Sequence, residues 1–235
     1  MARITRKELK TDKFALEVGQ TVDFLEENRT AIVRYGGAAL AVIAIIVGVY
    51  VYRGRQQRVR EEALAKAIEV QEAQVGASAS PGGLSFPTQQ AKSQEATKVF
   101  SELAAKYPGT NEGYIAEYYL GCIAADQGDM RVAERRFKSV ADSAGEKYSS
   151  LAKFSLGQVY FAEGKDDLGE KTLRDLMAHP SVYVSKDQAA IELATLLGPT
   201  KPAEARKILD PLRTVMGAVS QAAIEAYAAL PAKSK

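Results

Sequence analysis

The chain has 235 residues, 31 basic and 29 acidic, with a formal charge of +2. That balance gives no electrostatic reason to expect nucleic acid as a partner, and a single cysteine, Cys122, excludes an intramolecular disulfide. About 180 residues follow one long apolar run, enough for one soluble domain with its own core.

Residues 1–34 form a polar tail of mixed charge, with seven Lys/Arg against six Asp/Glu. Phe14, Val18, Val22, Leu25 and Ile32 fall at spacings of 4, 4, 3 and 7, which would place them on one face of a helix, although Gly19 interrupts it. Two readings stay open: a helix lying on a membrane surface or a partner subunit, and a weakly ordered tail.

Residues 35–52, YGGAALAVIAIIVGVYVY, contain no charged residue. A helix of this length spans about 27 Å, close to the hydrocarbon thickness of a bilayer, and it satisfies its own backbone hydrogen bonds as lipid requires. Tyr35, Tyr50 and Tyr52 sit at its ends as interfacial anchors. Arg34 precedes the run, and Arg53 and Arg55 follow it. It lies behind a long mixed-charge leader and has no A-x-A-like exit, so it reads as an uncleaved transmembrane helix rather than a signal peptide.

Residues 53–75 are rich in Ala, Glu, Gln, Arg and Lys, which favour helix. They read as a helical stalk continuing the span, with Val59, Ala63, Ala67 and Ile68 as a thin apolar stripe. Residues 76–89, beginning GASASPGG, read as a flexible linker.

From 90 to 235 short amphipathic helices alternate with Gly- or Pro-containing turns. Breaks fall near Pro108-Gly109, Gly128, Gly145, Gly164, Pro180 and Gly198-Pro199, and Thr110, Asp129 and Asp166 are candidate N-caps. Ala96-x3-Phe100, Ala133-x3-Phe137, Gly169-x3-Leu173 and Ala205-x3-Leu209 recur at spacings of 37, 36 and 36. Leu120-Gly121-x2-Ala124 and Leu156-Gly157-x2-Tyr160 recur beside them, with Leu193-Ala194-x2-Leu197 as a degenerate third copy. This resembles the tetratricopeptide pattern of L-G-x2-Y, A-x3-F and P, whose period is about 34. The fold expected is all-α: one N-terminal transmembrane helix, then a tetratricopeptide-type solenoid. Its parts would be a lone second helix at 90–106, repeats at 111–142 and 149–178, a divergent repeat at 185–214, and a capping helix at Ala218–Leu230. Residues 56–75 would supply the missing first helix.

No catalytic motif appears: no G-x-S-x-G, P-loop, G-x-G-x-x-G or H-E-x-x-H. The only histidine, His179, precedes Pro180 in a turn, and Cys122 follows Gly121 on the small-residue face of a helix, where a thiol packs as a small hydrophobe. No enzyme activity, cofactor or metal is expected.

In tetratricopeptide repeats the first helices line a concave groove. Carried over by that resemblance, the groove positions are Ile115, Tyr118, Cys122, Leu151, Phe154, Gln158, Phe161 and Ile191. The set is apolar and aromatic, which suits an apolar segment or amphipathic helix. The occupant could be another protein, another part of this chain, or a second copy in a homo-oligomer.

Phe24-Leu25-x2-Asn28 upstream of a single span, the Arg-rich exit, Lys106-Tyr107-Pro108 and Leu-Gly-x2-Tyr complete a specific order. The chain resembles the bacterial single-span tetratricopeptide family that includes the ancillary subunit of the SecYEG translocon. It departs in a longer N-tail and in the Gly/Ser/Pro insertion. The resemblance implies anchorage in the inner membrane, a cytoplasmic N-terminus, periplasmic repeats, and transfer of emerging proteins to periplasmic chaperones. An envelope scaffold for division or wall-assembly complexes is the alternative. The local charges point the other way on orientation: Arg29 and Arg34 lie upstream, against Arg53, Arg55, Arg58, Arg60 and Lys66 downstream. The tail adds Arg3, Arg6, Lys7, Lys10 and Lys13, and large domains translocate largely regardless of charge. On the strength of the resemblance, periplasmic repeats are expected.

Overall fold

The computed structural model of the chain describes residues 29–76, 83–215 and 217–231. Phe14, Val18, Val22 and Leu25 of the tail, and residues 77–82 of the linker, lie outside them. The chain divides into two compact units, Met1–Val59 and Arg60–Lys235.

Helix α1 runs without a break from Arg29 to Glu72. Its first part carries Gly36, Gly37, Gly48 and many β-branched residues, which are poor helix formers in water. An apolar medium reverses that preference, because any other backbone conformation leaves amides unpaired. Leu40, Val42, Ile43, Ile45 and Ile46 are all exposed, and the helix from Val33 is long and apolar enough to cross a membrane.

In the second unit the surroundings of α1 change. Ala67 is buried, and Ala63, Leu64, Ile68 and Val70 pack against Ala96, Phe100, Leu103, Ala116, Leu120 and Ile123. The end of α1 is thus the first packed helix of the array. Val59, expected in the apolar stripe, is exposed instead.

The expected linker is pinned at both ends. Strands β1 (Gln74–Val75) and β2 (Ser85–Phe86) pair in parallel, with Gln74 N–H donating to Leu84 O and Gly76 N–H to Phe86 O. Thr88 then caps α2, its hydroxyl accepting from Ala91 N at 3.1 Å.

Among the described residues, eight further helical segments follow: α2 (Gln89–Lys106), α3 (Asn111–Asp126), α4 (Met130–Ser143), α5 (Glu146–Ala162), α6 (Asp166–Ala178), α7 (Lys186–Leu197), α8 (Pro202–Leu209) and α9 (Ala218–Ala228), with a 3-10 turn at Leu212–Thr214. From α2 to α8 each packs chiefly on its neighbour in sequence, α3, α5 and α7 also touch in succession, and α9 packs on the 3-10 turn and on α7 more than on α8. Thr110, Asp129 and Ser185 cap α3, α4 and α7 through their side chains. Asp166 does not cap α6. It is the first helical residue, and Lys165 holds the cap position without a side-chain bond.

The α3–α4 and α5–α6 turns are built alike. Gly128 and Gly164 adopt φ of +80° and +74°, which only glycine tolerates without strain. The next residue's N–H then reaches back to close the helix end, Asp129 to Ala124 O at 2.9 Å and Lys165 to Tyr160 O at 2.8 Å. Helix α9 covers the last hairpin: Ala223 is buried, and Val219, Tyr227 and Leu230 pack on the core below.

Candidate partner-binding surface

The two sequence signatures are halves of one contact. A Cβ placed on Gly121 of α3 would lie 2.7 Å from the Phe137 ring of α4, and one on Gly157 of α5 would lie 2.8 Å from Leu173 of α6. The glycine after each leucine is the notch into which the large residue of the next helix fits. Phe100, Phe137, Leu173 and Leu209 are essentially inaccessible, as are Ala96, Ala133 and Ala205. A profile described as Tetratricopeptide repeat-like domain matches residues 23–196, more than half of the chain.

The chain belongs to the tetratricopeptide repeat-like domain family. No curated protein and no solved structure matches it.

Within this tetratricopeptide array, the positions expected at the groove lie on α3, α5 and α7, and all eight are half-buried. Tyr118 stands between repeats: its ring meets Phe137 at 5.5 Å and its hydroxyl lies 3.2 Å from Ser155 Oγ on α5. Cys122 and Gln158 meet in one hollow of about 220 Å³, with Ala125, Met130 and Val159 around it. Gln158 Nε2 donates to Glu192 Oε1 at 2.9 Å, linking α5 to α7. Leu151, Phe154, Phe161 and Ile191 pack against the C-terminal core. Ile115 lies one turn before Tyr118 on α3 and belongs to none of these groups.

Phe161 has a second role. A Cβ on Gly169 of α6 would lie 2.5 Å from its ring, so Phe161 fills space inside its own hairpin. The expected interfacial residues Tyr35, Tyr50 and Tyr52 are exposed on α1.

The surface holds no prepared nucleophile at Cys122. Burial pushes its thiol up to about 11, so it stays protonated at neutral pH. Burial also raises the phenol of its neighbour Tyr118. His179 is exposed after α6, with Nδ1 3.1 Å from Asp175 Oδ1. Cys122 and His179 therefore stand in different hairpins. Among the described residues no cluster of His, Cys, Asp and Glu is arranged to hold a metal ion.

Two features were not read from the sequence. Glu134 pairs with Lys165 at 2.7 Å and Glu170 with Lys201 at 2.8 Å, the same repeat positions 36 residues apart. The period of the apolar signature would have found both. A second hollow of about 450 Å³, lined by Gln71, Gln90, Ser93, Gln94, Ile123 and Gln127, lies where α1, α2 and α3 converge. Its composition signal is the concentration of uncharged amides around Gln89-Gln90.

Proposed function

We propose that this protein is a non-catalytic, membrane-anchored adaptor whose repeats bind other proteins. The observation that carries the reading is the half-buried apolar and aromatic surface on α3, α5 and α7, displayed by a chain that also carries an exposed helix long and apolar enough to span a bilayer. Partly exposed Tyr118, Leu151, Phe154 and Ile191 offer the anchors an amphipathic helix or apolar segment would use.

The finer reading rests on the resemblance. The protein would sit in the bacterial inner membrane with its N-terminus cytoplasmic and its repeats periplasmic. It would act as an ancillary SecYEG translocon subunit passing secreted proteins to periplasmic chaperones.

Cross-linking in intact membranes followed by purification tests the partner. Translocon subunits or periplasmic chaperones in the eluate support this reading, whereas wall synthases or division proteins would support an envelope scaffold. Phe154→Asp should abolish capture at a temperature where the repeats remain folded, the lost packing on the C-terminal core showing as a lower melting temperature. If it unfolds the repeats, Phe154 belongs to the core. A reporter active only in the cytoplasm, fused after residue 90, should be silent.

A further inference from the structure

The basic residues that follow the span differ in what they do. Arg60, in the repeat unit, is neutralised by Glu112, whose Oε2 lies 3.0 Å from its Nε. Arg53, Arg55 and Arg58 are exposed, and no ion pair to a described residue engages them. No acidic residue occurs between Glu27 and Glu61. The fold does not account for these three charges.

They also converge. At roughly 100° per residue, Arg55 and Arg58 lie about 60° apart on the helix, with Gly54 beside Arg58. Nothing lies within 4 Å of where a Gly54 side chain would begin. The resulting hollow is lined by Tyr50, Val51, Arg53, Gly54, Arg55 and Arg58 among others. One end of it is aromatic and apolar, the other is guanidinium.

This lining has the polarity of a phospholipid. If the apolar stretch ending at Tyr52 fills the hydrocarbon core, the next six residues extend roughly 9 Å further, through the headgroup layer. Guanidinium groups form paired hydrogen bonds to phosphate oxygens, and Tyr50 with Val51 offers a surface for the first acyl carbons. A free phosphate would have no use for that apolar wall. We infer that the hollow over Gly54 binds the headgroup phosphate of an anionic phospholipid. The inference rests on the membrane-spanning reading of α1.

The test uses the full chain in detergent micelles containing equal amounts of phosphatidylglycerol and phosphatidylcholine, with retained lipid counted by native mass spectrometry. Each basic residue at an anionic surface favours binding roughly fivefold, so three favour the anionic lipid by on the order of a hundredfold. R53Q/R55Q/R58Q should abolish the preference. G54L, which fills the hollow but keeps every charge, should reduce retention of the anionic lipid, while circular dichroism confirms that the repeats stay folded. Equal retention of the two lipids by the wild type overturns the inference. So does arginine-dependent binding of inorganic phosphate in lipid-free micelles that phosphatidylglycerol does not displace, since the site would then serve a free anion. Alkaline carbonate extraction of the chain from membranes would overturn the span and the inference together. Stable integration without lipid preference would overturn the inference alone.

Discussion

The α3–α4 and α5–α6 hairpins solve one packing problem with their large and small residues exchanged. In the first, Phe137 of α4 fills the notch at Gly121, and Ala125 and Ala133 stand at the positions that correspond to Phe161 and Gly169 in the second. In the second, the smaller Leu173 fills the notch at Gly157, and Phe161 of α5 enters over Gly169. The aromatic ring has moved from one helix to the other. The second hairpin's departure from the A-x3-F signature is therefore compensated rather than degenerate. Interiors are close-packed, so conserving volume matters more than keeping each residue type in its place.

The largest break in this symmetry should come from Phe137→Ala. The ring is almost fully buried, and its loss should cost about 3–5 kcal/mol in chemical unfolding of the repeats. Phe161→Ala should cost less, because Phe161 keeps part of its surface exposed.

Gly169→Ala comes next. Its new methyl meets both the Phe161 ring at 2.5 Å and the Gly157 carbonyl oxygen at 3.0 Å. Overpacking of about 1–3 kcal/mol outweighs the gain of up to about 1 kcal/mol in helix propensity, so a net loss on the order of 1 kcal/mol is expected. Gly121→Ala should lose at least as much, because the Phe137 ring it meets at 2.7 Å is buried and has no open space to yield into, whereas Phe161 is partly exposed. A double-mutant cycle sharpens the contrast: Phe161→Leu should relieve Gly169→Ala, whereas Phe137→Leu should combine with it additively.

The hairpins also begin their second helices differently. Asp129 accepts from Val132 N at 3.2 Å, so Asp129→Ala should lower stability by about 1 kcal/mol. Asp166 makes no such bond, and Asp166→Ala should lose only its interaction with the helix dipole, at most about 1 kcal/mol and screened by salt.

The smallest effect concerns the ion pairs. Hydrogen bonds from Lys201 and then Arg174 hold the Glu170 carboxyl below its ordinary range. A carboxylate so depressed contributes stability that is present above its unfolded value and lost as pH falls through its folded value. Melting temperatures of wild type and Glu170→Gln should therefore differ slightly near neutral pH and converge in acid below the ordinary glutamate range. A difference that instead grows on acidification would show that the pairing does not act this way.

Much of this organisation was legible in the chain. Turns at Gly128 and Gly164 need a backbone only glycine adopts easily, so they announce themselves. The notch and the side chain filling it recur at a fixed period, so the hairpins and their register were readable, and so was the α1 segment that completes the first repeat. Asp166 misled because an acidic residue suits both a cap and a first turn. The parallel pairing of Gln74–Val75 with Ser85–Phe86 carries no strand pattern, being two residues long and formed across a turn-rich segment. The surface positions were transferable by register, but register alone does not say which of them also pack inward.

By itself, then, the sequence determined the apolar stretch before Arg53, the helix ends and the repeat period, because these depend on local backbone preference and on side-chain periodicity. Only the tertiary structure decided that Phe161 fills the space over Gly169, that Glu112 neutralises Arg60, and that Cys122 and Gln158 share a hollow. Each of these depends on which side chains meet across helices, and volume can be traded between helices without changing either helix's own pattern.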